Sequence, residues 1–182
     1  NYELSGAVAT YGQASVDGIM MAFDEINAAG GIDGKMIEPI QGDNKSEPSE
    51  ATSIATKLMT QDMVVAVLGP ATSGNFKAQE PVATKNGIPM ISASATADDV
   101  TVDENGVKEY VFRLCFNDSF QGVAMANFAS RNLSAKNAVI IKDNSSDYGK
   151  GLAESFSAQF LSEGGTIVAE EGYVAKDKDF NA

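Results

Sequence analysis

Short apolar segments alternate with longer amphipathic segments along almost the whole chain. The apolar segments are bounded by Gly, Pro, Asn or Asp, which is typical of β-strands. The predicted strands are Tyr2–Leu4, Met36–Gln41, Val64–Leu68, Pro89–Ile91, Tyr110–Phe116, Asn137–Lys142 and Thr166–Glu170. Strands that alternate with helices in this way predict βαβ units around a parallel sheet, an α/β fold with helices on both faces.

The amphipathic segments carry apolar residues at helical spacing. In the first of them, Val16, Ile19 and Phe23 follow the i, i+3, i+7 pattern of a helix buried on one face. The predicted helices are Gln13–Ala29, a segment capped by Ser46 with Pro48 in its first turn, Asn75–Lys85, Ser119–Asn132 and Tyr148–Glu163. Pro39 places the second strand at a sheet edge, because proline cannot donate to a ladder.

The stretch Val64–Thr101 contains one pattern twice: an apolar strand, then a turn of small, hydroxyl-bearing residues, first GPATSGN and later SASAT. Open α/β folds bind ligands at the carboxyl ends of their strands, so we expect Ser73, Ser94 and Thr96 to come together there. Each lies near the start of a predicted helix, where backbone N–H groups attract anions. Thr96 and Asp99 also match a helix-capping pattern. Two interpretations stay open: the hydroxyls cap their own helices, or they hold a small polar or anionic ligand.

Composition removes most catalytic mechanisms. The 182 residues include no histidine, which excludes Ser-His-Asp triads and histidine-based metal sites. Dinucleotide, phosphate-loop and nucleophile-elbow motifs are also absent, so we predict no cofactor, no metal site and no enzyme activity. The net charge of −12 argues against a nucleic-acid partner. Cys115, the single cysteine, lies in an apolar segment and is predicted to be a buried, inert thiol.

Two tyrosines precede glycine, Tyr11 in TYG and Tyr148 in DYG. Packing is the commoner role of such a residue, and ligand recognition is the alternative. Tyr11 falls in the predicted loop after the first strand, on the same sheet edge as Ser73, which favours a ligand contact. No apolar run approaches the roughly 20 residues of a membrane span.

Three blocks follow one another over nearly the whole chain: GAVATYGQASVDGIMMAFDEINAAGGIDGK, AVLGPATSGNFKAQEPVATKNGIPMISASATADDVT and SSDYGKGLAESFSAQFLSEGGTIVAEEGY. In this order they resemble the type I periplasmic binding proteins, and most closely the leucine/isoleucine/valine-binding branch of ABC importers. The resemblance implies two lobes that close on a ligand, each a Rossmann-like three-layer sandwich. Residues 1–117 correspond to most of the first lobe, and residues 118–182 to the beginning of a truncated second lobe. The first hinge crossing lies near Asn117–Gln121, and Lys176–Ala182 resembles a loop that leads to a further helix.

The resemblance also implies contacts with an amino acid. Ser73 holds the ligand carboxylate through its side chain and N–H, with the backbone of Thr72 beside it. The turn Ser94-Ala95-Thr96 holds the ammonium group through the Ser94 carbonyl and the Thr96 hydroxyl. The two turns therefore divide the charged ends of the ligand between them.

The two tyrosines match aromatic residues of the family. Tyr148 corresponds to a second-lobe tyrosine that closes over the ligand, and Tyr11 to a residue near the ligand side chain. One departure concerns a disulfide that some members carry in the first lobe. Ser46 and Thr72 stand at the corresponding places, so that bridge is missing.

By this resemblance the protein is an extracytoplasmic substrate-binding component of an amino-acid, branched-chain-like ABC transporter, with a membrane permease as its partner. The missing disulfide leaves the location open between a periplasm and a lipid-anchored position on a Gram-positive surface. The alternative function is the ligand-sensing domain of a receptor or transcription regulator with the same fold. A DNA-binding or transmembrane segment in the complete gene distinguishes this alternative.

Overall fold

A computed structural model describes residues 1–175 and 177–180 of the chain, which divides into two compact units. The units are Asn1–Ala95 with Asp103–Leu114, and Thr96–Val102 with Cys115–Ala182. The predicted lobes, residues 1–117 and 118–182, stay a prediction about the complete protein. The predicted approach to a helix at Lys176–Ala182 includes Lys176, Asn181 and Ala182, which lie outside the described residues.

Helices and strands alternate over residues 48–92 and 111–173 of the described chain, as the apolar pattern predicts. The helices are α1 (Ala9–Ala28), α2 (Pro48–Thr60), α3 (Ser73–Asn86), α4 (Asp118–Asn127) and α5 (Asp147–Ser162). The strands are β1 (Val67–Leu68), β2 (Met90–Ser92), β3 (Val102–Asp103), β4 (Gly106–Val107), β5 (Val111–Arg113), β6 (Asn137–Asp143) and β7 (Thr166–Tyr173). Within residues 1–175 and 177–180, none of the helices combines the length and apolarity that a membrane crossing requires.

The first unit is built on a parallel sheet with the strand order β1-β2-β5. Helices α2 and α3 pack against each other, and Phe76 of α3 is buried in the core together with Met90 of β2. Gly87 ends α3 in the left-handed conformation with φ 64°, which glycine adopts without steric cost. Because β1 and β2 run in the same direction, the turns that follow them leave the sheet at the same edge.

The second unit contains the parallel pair β6 and β7 together with α4 and α5, which pack against each other. Gly122 of α4 permits this approach, since an added Cβ would lie 2.6 Å from Ser155 Cβ on α5. Asn117 and Ser146 cap α4 and α5, each by accepting a backbone N–H of the first turn. The alternation of strand and helix confirms the predicted α/β class for this unit too.

The predicted strand Met36–Gln41 is wrong. The side chain of Asn27 replaces a neighbouring strand, since its Nδ2 donates to Ile37 O at 2.9 Å and its Oδ1 accepts from Ile37 N at 2.7 Å. Pro39 has no N–H to add to a ladder. The segment is therefore held by one side chain in an irregular conformation.

The predicted strand Tyr2–Leu4 is reduced to a single bridge, in which Tyr2 pairs in parallel with Asp43. After this bridge, the next backbone N–H groups donate to the side chain of Asp43 instead of to a strand. Asp43 Oδ1 accepts from Leu4 N at 3.0 Å and from Ser5 N at 3.1 Å. Burial opposes the ionisation of Asp43, but hydrogen bonds from Ser5, Lys45 and Leu4 outweigh it and hold the pKa of this carboxyl below 3.8. The side chain of Asp43 thus replaces the carbonyl groups of a neighbouring strand as the acceptor, and the strand pairing ends there.

The predicted cap at Ser46 is also wrong, whereas Pro48 does occupy the first turn of α2. Ser46 has φ 64°, outside the extended region that an N-cap adopts. Its hydroxyl donates to Ser5 O at 2.7 Å and accepts from Val8 N at 3.3 Å. Ser46 therefore ties the loop before α1 to the loop before α2.

Candidate functional site

The two hydroxyl-rich turns lie next to each other at the carboxyl ends of β1 and β2. Ser92 Oγ donates to Pro70 O at 2.7 Å. Ser94 Oγ donates to Ala71 O at 2.9 Å. Within the first unit, the prediction that these turns meet at one edge of the sheet is confirmed.

Ser92 organises the second turn, and the sequence pattern did not single it out. Its buried Oγ accepts from Ser94 N at 3.2 Å and from Ala95 N at 3.0 Å, besides donating to the first turn. One hydroxyl therefore fixes the predicted contacts Ser94 and Ala95. The available signal was a serine as the last residue of an otherwise apolar strand, where a buried hydroxyl requires partners.

Ser73 is the first residue of α3, and its side chain is buried. Thr72 is the residue before the helix and makes no side-chain capping bond to it. The first helical bond joins Phe76 N to Thr72 O at 2.9 Å. Ser73 thus lies in the helical turn whose backbone N–H groups point out of the helix, where a carboxylate is stabilised.

The hydroxyl of Thr72 is directed to Glu3, a fully buried residue that sequence reasoning missed. The Glu3 carboxylate accepts from Ala71 N at 2.9 Å and Asn75 Nδ2 at 2.9 Å. It also accepts from Thr72 twice, from the backbone N at 3.1 Å and from Oγ1 at 2.8 Å. Burial raises the pKa of Tyr2 to about 12, and the adjacent negative charge of Glu3 adds to this effect. A carboxylate of the chain itself therefore lies at the start of α3.

Tyr11 lies in the first turn of α1, which begins four residues before the predicted helix, rather than in a loop. The residue is 65% exposed. Tyr11 and Ser94 line the same open depression of about 410 Å³, together with Thr10, Ala14 and Ser15. The structure therefore brings the predicted contacts Tyr11 and Ser94 together within the first unit.

The remaining predicted contacts, Thr96 and Tyr148, belong to the second unit. The predicted helix cap at Thr96 is wrong: a single 3₁₀ turn follows, Asp98–Val100, and the residue before that turn is Ala97. Thr96 is buried, and its carbonyl accepts from Asp118 N at 2.8 Å, which joins it to the start of α4.

Tyr148 lies in the first turn of α5, one residue inside the helix, and is 40% exposed. Its hydroxyl lies 3.1 Å from Nε2 of Gln121 on α4. Tyr148 is thus anchored at its hydroxyl end while its ring stays accessible.

A parallel α/β unit with a polar edge built from adjacent strand-end turns is the arrangement of proteins that bind small molecules. The chain belongs to the periplasmic binding protein family, whose model matches residues 1–182. Membership of this family implies an extracytoplasmic location.

Individual relatives agree with this assignment. The structure of the branched-chain amino acid transporter substrate binding protein LivJ from Streptococcus pneumoniae, in complex with isoleucine, aligns with a TM-score of 0.91 and 51% identity over 100% of this chain and 50% of that chain. An amino acid binding protein of Pseudomonas aeruginosa is 36% identical over 98% of this chain and 46% of its own length. The Leu/Ile/Val-binding protein BraC3 of Rhizobium johnstonii is 36% identical over 98% of this chain and 47% of its own length. The chain spans about half the length of the curated relatives it matches. The resemblance to the leucine/isoleucine/valine-binding proteins and the type I α/β fold are confirmed.

Proposed function

We propose that the complete protein is the extracytoplasmic substrate-binding component of an ABC importer for amino acids of the branched-chain type. One observation carries the proposal: two hydroxyl turns are tied together at one sheet edge, in a chain that is 51% identical to an isoleucine-bound LivJ. Its partner is the membrane permease that receives the ligand. It binds and releases the amino acid without turnover.

The two turns suit the two charged ends of an amino acid. Ser73 donates to the carboxylate through its hydroxyl and N–H, with the backbone of Thr72 beside it. The Ser94 carbonyl and the Thr96 hydroxyl accept from the ammonium group, and Ala95 completes that turn. Hydrogen bonds to charged groups stabilise by about 1.5–3 kcal/mol each, so a few of them supply much of the binding free energy.

The side chain of the ligand is proposed to lie against the exposed ring of Tyr11. The wall beside the ring carries small side chains, Thr10, Ala14 and Ser15, and leaves room for an aliphatic group. Tyr148 stays a predicted contact that covers the ligand. Location in a periplasm or at a lipid anchor on a Gram-positive surface fits this function equally well.

The test is a thermal-shift and calorimetry panel of the full-length protein with aliphatic, small polar, acidic and basic amino acids, sugars and amides. We expect aliphatic or small polar amino acids to raise the melting temperature. Ser73→Ala should weaken their binding roughly ten- to a hundredfold, because a charge-assisted hydrogen bond is lost.

Ser53→Ala is the matched control, since that hydroxyl is exposed on α2 and donates at 2.9 Å to Ser49 O within its own helix. We expect this variant to bind like the wild type, and Tyr148→Ala to bind more weakly. Shifts with sugars or amides and none with amino acids would refute the proposal.

A further inference from the structure

Glu3 is a buried carboxylate whose hydrogen bonds all run toward the first hydroxyl turn. Four donors converge on its two oxygens, at 2.8 to 3.1 Å. They come from Ala71, Thr72 and Asn75, which flank Ser73 on both sides. A buried charge requires such compensation, and here the compensating groups belong to the turn itself.

The backbone of Glu3 packs against α1. Gly12 is the only residue of α1 that is buried, and a Cβ added to it would collide with the Glu3 carbonyl. Gln13 Nε2 donates to the carbonyl of the next residue, Leu4, at 3.0 Å. Glu3 therefore joins the helix that carries Tyr11 to the turn that carries Ser73.

The Glu3 carboxylate also accepts hydrogen bonds from donors that a ligand carboxylate could otherwise use. Helix starts attract anions because their N–H groups lack partners within the helix. At α3, the N–H groups of Ala71 and Thr72 and the Thr72 hydroxyl already donate to Glu3. A ligand carboxylate at this helix start therefore has to take its contacts from donors other than these three, and the proposed function assigns them to Ser73.

We infer that Glu3 is a positioning residue of the carboxylate site, and that the hydroxyl of Thr72 acts through Glu3 rather than by touching the ligand. This inference rests on the proposed function. Glu3 fixes the turn before the ligand arrives, so the ligand does not have to order it at its own entropic cost. Glu3→Gln places an amide N–H₂ among hydrogen-bond donors, which shifts the turn and displaces Ser73 from the ligand carboxylate.

The experiment compares two ligands of the full-length protein: the amino acid that binds most tightly in the panel, with L-leucine as the first probe, and its amino alcohol. L-leucinol keeps the side chain and ammonium group of L-leucine but has no carboxylate. For each variant, calorimetry gives the ratio of the two dissociation constants, and thermal unfolding without ligand gives stability. A purely structural residue changes stability and leaves the ratio alone.

We expect Glu3→Gln to reduce the preference for acid over alcohol roughly ten- to a hundredfold, the effect of one charge-assisted hydrogen bond. Thr72→Val should reduce it less, and Thr72→Ser, which keeps the hydroxyl, should restore it. Thr52→Val is the control, since it removes a hydroxyl that donates to Ala78 O of α3 at 2.9 Å, away from the turn. We expect that control to lower stability without changing the ratio.

An unchanged ratio in Glu3→Gln overturns the inference, whatever happens to its stability. If Glu3→Gln does not fold, Thr72→Val decides in the same way. A wild-type protein that binds no amino acid overturns the proposed function and this inference together. Tight amino-acid binding with unchanged ratios overturns the inference alone.

Discussion

Replacing Ser92 with alanine removes one oxygen atom that serves both turns. The hydroxyl donates to Pro70 O at 2.7 Å and accepts from Ala95 N at 3.0 Å and Ser94 N at 3.2 Å. Ser92, Pro70 and Ala95 are all buried, so water cannot easily replace these partners. Each buried group left without a partner costs about 1–3 kcal/mol. Since the bond from Ser94 N is at the long end of the normal range and Ser94 is only partly buried, we count mainly the other two and expect Ser92→Ala to lower the free energy of unfolding by about 3 kcal/mol.

Urea denaturation followed by circular dichroism measures this loss. Ser53→Ala is the control, because its hydroxyl is exposed and donates only at 2.9 Å to Ser49 O; its expected loss is within about 0.5 kcal/mol. The slope of free energy against urea should stay the same in both variants, so that the change is one of stability. A loss in Ser92→Ala no larger than in the control would show that the hydroxyl does not hold the turns together.

Two further predictions concern packing and pH. Gly122→Ala should destabilise the second unit by about 1–3 kcal/mol, because the new methyl group would lie 2.6 Å from Ser155 Cβ. Urea denaturation measures this loss, and a variant as stable as the wild type would refute the close approach of α4 and α5. The pKa of Asp43 is lower in the folded protein than its unfolded value near 3.8. Asp43 therefore stabilises the fold fully above the unfolded pKa, and this stabilisation is lost as the pH falls through the folded pKa. Asp43→Asn should therefore flatten the dependence of stability on pH below about 4, and an unchanged acid-unfolding curve would contradict this.

The sequence predicted the elements whose causes are local. An apolar segment followed by small hydroxyl-bearing residues is sufficient to indicate a strand and its turn, and parallel pairing then brings Ser73 and Ser94 to one edge. Pro48 at the start of α2 follows from backbone preferences alone. Tyr11 was placed at the correct edge although its helix begins earlier than the apolar spacing indicates.

The wrong predictions concern segments whose conformation is set by residues far away in the sequence. Ser46 does not cap α2, because its hydroxyl is drawn to Ser5, which is 41 residues away. The segment around Ile37 is not a strand, because Asn27 of α1 occupies its backbone groups. Glu3 showed no pattern at all, since its partners lie on a different loop. Spacing along a chain reports neighbours in sequence, and these side chains are neighbours only in space.

The contact between Glu3 and Thr72 has a consequence for how the first unit folds. The two residues are 69 positions apart, so their carboxylate–hydroxyl bond closes a long loop of chain. Closing such a loop costs conformational entropy, which the packing of the surrounding β1, β2 and α3 offsets. Because long-range contacts form slowly, we expect the first hydroxyl turn and the start of α3 to reach their final geometry only when the sheet is assembled.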